Sequence, residues 1–117
     1  MSDPSYFTGR TTIAPEVLVT IVKLTVLSVP GVSRLAPIPG RLNRVFKREA
    51  NDGVEITVEN NTVYADVHVI FQRDINVRDV SRTIQNQVAR AVQEMVGMEV
   101  GKVNVHVEDI DYRSEIQ

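Results

Sequence analysis

The sequence predicts an α+β fold: a two-layer sandwich in which a small mixed sheet of about four strands carries two helices on one face. Three observations predict it. The stretch GVEITVENNTVYADVHVIF at 53–71 alternates apolar and polar residues on either side of Asn60-Asn61. NVRDVSRTIQNQVARAVQEMVG at 76–97 repeats apolar residues at intervals of three and four, and KVNVHVEDI at 102–110 alternates again. A helix therefore joins two strands, which is the arrangement of parallel neighbours linked by a right-handed crossover.

Each element follows from local chemistry. TTIAPEVLVTIVKLTVLSVPG at 11–31 begins with a short extended piece, a candidate for one extra strand. A helix then starts near Pro15, where a first turn tolerates proline and Glu16 suits the positive helix end. Pro30 and Gly31 end it, and GVSRLAP follows as a short strand. In the hairpin, a two-residue Asn60-Asn61 turn pairs Val58 with Val63, Ile56 with Ala65 and Val54 with Val67, so every apolar residue lies on one face. Asn76 caps the second helix and Gly97 stops it. Residues 1–8 are expected to be flexible, 9–112 to form a single domain, and 113–117 to fray.

The helices differ in how much apolar surface they carry. Val77, Val80, Ile84, Val88, Ala91, Val92 and Met95 cover an arc of about 120°, enough for one sheet contact with nothing left over. In the first helix Val17, Ile21 and Leu24 form one stripe and Val19, Val22, Val26 and Val29 another, an arc of about 220°. One stripe can cover the sheet, and the other must meet the flank of the second helix, the 42–46 segment or another subunit. Val19, Val22, Val26 and Val29 are the candidate stripe for self-association.

Composition narrows the function classes. The chain has 117 residues, 43% of them hydrophobic and 24% charged, as in one ordinary globular domain. Without cysteine there is no disulfide, thiolate nucleophile or cysteine-ligated zinc. The opening MSDPSYFTGR has no signal-peptide pattern, and the apolar-rich stretch at 17–29 is interrupted by Thr20, Lys23, Thr25 and Ser28, so neither secretion by a recognisable signal nor a membrane span is expected, and a reducing cytoplasm is allowed.

The two histidines, His68 and His106, both sit in Val-His-Val and point away from the valine face, in company with Glu55, Tyr64, Asp66 and Glu108. If their strands are neighbours, a divalent ion is one reading. An alternating sheet places polar residues outward in any case, and no third histidine or HExxH spacing supports a site, so no metal ligand is assigned. The patterns GxxxxGK[ST], GxGxxG and GxSxG are absent, and Asp109 and Asp111 read as solvated acids at a strand end. No catalytic residue, cofactor or small-molecule substrate is assigned, and the expectation is a protein that is not an enzyme.

Charge is unevenly placed, +4 over residues 1–50 and −6 over 51–117. Arg34, Arg41, Arg44, Lys47 and Arg48 form a candidate patch for an anionic partner, and GRLNRVFKRE would place Leu42, Val45 and Phe46 on one side of a short helix with the bases opposite. Lipid or protein is favoured over nucleic acid, because aromatic support is thin and no GxxG loop of a KH domain is present. A nucleic-acid-binding regulator using 34–48 is the alternative reading.

Taken in order, Ile13-Ala14-Pro15-Glu16-Val17, Pro30-Gly31-Val32, Ile84-Gln85 followed by Val88, and Val103-Asn104-Val105 with Val107 resemble the alkaline shock protein family, the Gls-type envelope stress response proteins. The resemblance runs from about Gly9 to Tyr112. It implies a small bacterial cytoplasmic protein without catalytic residues or cofactor, linked to cell-envelope stress or upkeep. It also implies self-association, and recruitment to the inner face of the membrane by a membrane-anchored partner. Gln72-Arg73 stands where many members have Tyr-Gly.

Overall fold

The structure is a computed structural model, which describes residues 9, 11–39, 49–51 and 53–115. Helix α1 spans Pro15–Leu27, opening on an extended Ala14 with Pro15 as its first residue and Glu16 in the first turn. It closes at Ser28, whose N–H reaches the carbonyls of Leu24 and Thr25, each at 3.1 Å. Strands β1 (Val32–Leu35), β2 (Glu49–Asn51), β3 (Val54–Glu59) and β4 (Thr62–Gln72) follow, then helix α2 (Val77–Val96), strand β5 (Glu99–Asp111) and a 3₁₀ turn at Tyr112–Glu115. This is the predicted α+β class, with a mixed sheet of five strands among the described residues.

Strand β4 is the spine. β5 runs parallel to it from Thr62 to Gln72. On its other edge β3 pairs antiparallel with residues 62–67 and β1 with 69–71. Between them His68 gives its N–H to Gly53 O at 2.7 Å and takes the N–H of Ala36 at 2.8 Å. β1 and β3 therefore share that edge end to end, and β2 lies beyond β3. The hairpin has the expected register, Val58 opposite Val63, Ile56 opposite Ala65 and Val54 opposite Val67. Asn60 and Asn61 have φ of 52° and 62°, the left-handed conformations that a tight two-residue turn needs.

The core lies between the sheet and the helices: Val54, Val63, Val67, Val69 and Phe71 from the strands, Val22 and Val26 from α1, and Ile84, Val88 and Val92 from α2, all fully buried. Asn76 caps α2 by accepting the N–H of Asp79 at 2.9 Å, and Gly97, φ 72°, ends it with its N–H on the Gln93 carbonyl at 3.0 Å.

Several expectations need correction. The stripe assigned to self-association, Val19, Val22, Val26 and Val29, is buried inside the domain, and Val17 and Leu24 of the other stripe face outward at 44% and 61% exposure. α1 lies against both the strands and α2, and Leu18, Val19, Val22 and Val26 fill that angle. α2 is not fully covered either, since Val77 and Met95 are exposed. The extended residues 11–14 join no strand, and β2 is an addition. The outer sheet face is partly closed: His68 and Ile70, expected at the surface, are buried, as is Glu55.

Candidate functional site on the outer sheet face

Parallel pairing of β4 with β5 sets His68 directly opposite His106. The rings stack, with centroids 4.4 Å apart and planes inclined by 12°. Each imidazole has a carboxylate. His68 Nδ1 lies 2.7 Å from Glu108 Oε2, and His106 Nε2 lies 2.9 Å from Asp66 Oδ1. Asn104 Nδ2 donates to the same Asp66 oxygen at 3.1 Å. Desolvation pushes the Asp66 carboxyl up, but the hydrogen bonds from His106 and Asn104 and the nearby imidazoles outweigh it, and the group is held below the usual aspartate value.

A second polar cluster fastens the far end of the sheet. Asp111, on β5, accepts from Ser33 Oγ at 2.7 Å and from Arg34 Nη1 at 2.9 Å, both on β1, so that β1 and β5 are tied across β4. The Ser33 hydrogen bond and then the Arg34 charge hold the Asp111 carboxyl below the usual range against some desolvation. Ser33 is thus a donor to a carboxylate, with no imidazole bonded to its hydroxyl. Asp109 accepts the backbone N–H of Ile110 at 2.7 Å, a local strand-end role.

No group of three or more His, Asp or Glu side chains among the described residues is placed to hold a metal ion. An apolar cleft of about 450 Å³ opens between residues 11–18, the turn at 58–61 and the α2 terminus at 96–98, and none of its lining side chains titrates. Of the basic patch, Arg34 is the described member, ion-paired with Asp111 at 2.9 Å. Arg41, Arg44, Lys47 and Arg48, and the short helix expected around them, lie outside the described residues.

Sequence reasoning missed two features. One is the outward row of α1, Val17, Leu24 and Leu27, at 44%, 61% and 41% exposure. The other is Gln85, whose Nε2 donates to the Val103 carbonyl on β5 at 3.1 Å. Its place in the Ile84-Gln85 motif was the available signal, without a hint of what it bonds. No helix among the described residues is long and apolar enough to cross a membrane.

Known proteins give the context. Spy1535 of Streptococcus pyogenes is 34% identical over 105 residues, 89% of this chain and 81% of that one. YqhY of Bacillus subtilis is 22% identical over 111 residues, 93% of this chain and 82% of its own. Among solved structures, a MamM CTD variant superposes with a TM-score of 0.47 at 15% identity, covering 82% of this chain and 98% of that one. The model of the alkaline shock protein 23 family, of cell envelope-related function, matches residues 5–112, and this chain belongs to that family, the alkaline shock proteins that its motifs resemble.

Proposed function

We propose that the chain is a non-enzymatic scaffold or adaptor of the bacterial cell envelope. It works from the cytoplasm, self-associates, and is recruited to the inner face of the membrane by a membrane-anchored partner. The observation that supports this reading best is the contrast between its polar and apolar surfaces. Its histidines and the carboxylates beside them are bonded to one another, and no buried polar side-chain atom among the described residues lacks a hydrogen bond. Each imidazole is held by a carboxylate through one nitrogen, and no hydroxyl among the described residues is bonded to the other for it to activate. Its unsatisfied surface is apolar instead, the row of Val17, Leu24 and Leu27 on α1, with Met95 of α2 also 67% exposed. Apolar area of that kind suits protein contact.

The test is affinity capture of the tagged full chain from its own cells with the membrane fraction retained, alongside a Val17→Glu/Leu24→Glu variant. A membrane protein held by the wild type and lost from the variant supports the reading. Capture of nucleic acid, released by salt, would move the balance to the regulator reading.

A further inference from the structure

The sheet has one long open edge. Because His68 directs its N–H and C=O to Gly53 and Ala36, the alternate residues Ala65, Val67 and Val69 of β4 direct theirs toward β5. Their register partners on β5 are Val103, Val105 and Val107. In a parallel pair, the residues on either side of those partners bond across, so Val103, Val105 and Val107 turn their own N–H and C=O groups away from β4. Gln85 agrees with this direction by donating to the Val103 carbonyl from α2, which takes one of the two lone pairs of that oxygen and leaves the other for a partner strand. Among the described residues no strand pairs with this edge. The register with β4 slips at Gly101 and again at Glu108, which leaves a regular run of edge from Lys102 to Val107.

We infer that this edge is where two copies of the chain join, β5 against β5 antiparallel about a two-fold axis at Val105. This rests on the self-associating reading above and gives it a site. The sequence of β5 is complementary to its own reverse in that register. Val103 falls opposite Val107, Asn104 opposite His106 and Val105 opposite itself, and Lys102 falls opposite Glu108 of the second copy at the edge of the regular run, where that carboxylate, held by His68 through Oε2, keeps its other oxygen for the ammonium.

Residues 102, 104, 106 and 108 share the outer face, and the three valines share the helix face, so charge meets opposite charge and valine meets valine. Shifting the axis to 104 sets Lys102 against His106, and shifting it to 106 stacks His106 on itself and sets Asn104 against Glu108. Neither pairs opposite charges directly. Lys102 has no ion-pair partner among the described residues, and Val107, 37% exposed, gains a cover from the second copy's valine at 103. The slips at Gly101 and Glu108 confine the pairing, and a two-fold contact consumes the edge, which closes a dimer instead of starting a fibre.

Sedimentation equilibrium of the full chain reads the proposal. Val105→Pro removes an N–H that points outward and leaves the β4 ladder intact, so its dimer constant should weaken by at least ~10-fold with an unchanged circular dichroism spectrum. Lys102→Glu should weaken the dimer several-fold, and Lys102→Glu/Glu108→Lys should recover most of that loss. If the wild type associates and folded Val105→Pro associates equally well, the edge is not the interface, although the scaffold reading stands. If Val105→Pro does not fold, the charge-swap pair decides, with Glu108→Lys alone as the control for its lost contact with His68, and a double variant weaker than both single variants overturns the proposal. A wild type that is monomeric at every concentration overturns both.

Discussion

The imidazole of His68 lies over that of His106 with centroids 4.4 Å apart and planes within 12° of parallel. Lone pairs of an imidazole lie in the plane of its ring, so two stacked rings send theirs along separate, nearly parallel sheets of space. They do not converge on one point at the roughly 2.0–2.1 Å that a zinc ion requires. One nitrogen of each ring already faces a carboxylate, His68 on Glu108 and His106 on Asp66.

The first prediction follows directly. Protein purified without a metal-binding tag should contain no stoichiometric transition metal, as elemental analysis reads. One zinc per chain that disappears in His68→Ala/His106→Ala would show that the pair rearranges to bind, and would reopen the question of catalysis.

The two polar clusters predict a response to acid. Asp66 and Asp111 are both held below their ordinary value of 3.8 by hydrogen bonds in the fold. A carboxyl with a depressed folded pKa contributes stability that is fully present above the unfolded value and is lost as pH falls through the folded one. Urea midpoints should therefore hold steady near neutrality and drop below about pH 4. Asp66→Asn should flatten part of that drop while its midpoint at pH 7 falls. An unchanged acid profile would remove Asp66 from this account.

How much of this was legible in the sequence depended on whether a pattern had one solution. The 53–71 hairpin had one: alternation fixed the faces, Asn60-Asn61 fixed the turn, and both agreed on the register that is observed. The parallel β4–β5 pairing had one as well, because a helix intervenes. α1 had two, since an apolar arc of about 220° states that the helix is wide in contact without saying which side faces in. The proximity of His68 and His106, with Asp66 and Glu108 on the same face, could be anticipated from the alternation, but which carboxylate each imidazole takes depends on the register of β5 against β4, which no local pattern encodes. Gln85 is a further case, where a residue named by its motif acquires meaning only when α2 passes beside the edge of β5.

Two glycines separate conformational strain from steric exclusion. Gly97 has φ +72°, and a Cβ placed there meets nothing within 4 Å, so Gly97→Ala should cost only the left-handed backbone penalty of about 1 kcal/mol. Gly53 has φ +88°, and its Cβ would stand 2.7 Å from the Ala36 carbonyl oxygen at the junction of β1, β3 and β4. Gly53→Ala should cost roughly 3 kcal/mol or more, because backbone must move. Chemical denaturation of the two variants side by side reads the difference. Equal losses would mean that the junction yields without cost.

The two faces of α1 give the last prediction. Val19 and Val26 are 3% and 0% exposed, packed among the strands and α2, while Val17 and Leu24 on the opposite side are 44% and 61% exposed. A carboxylate forced into the first pair loses the transfer energy of two buried valines, about 1.5 kcal/mol or more each, and adds the larger penalty of an unpaired buried charge. A domain of this size has only about 5–15 kcal/mol in reserve. Val19→Glu/Val26→Glu should therefore fail to fold, with a random-coil circular dichroism spectrum. Val17→Glu/Leu24→Glu places its charges in solvent and should keep a midpoint within about 0.5 kcal/mol of wild type. Its effect should appear only in partner capture. If the outer variant unfolds and the inner one does not, α1 is rotated relative to the arrangement described, and the exposed row passes to the other stripe.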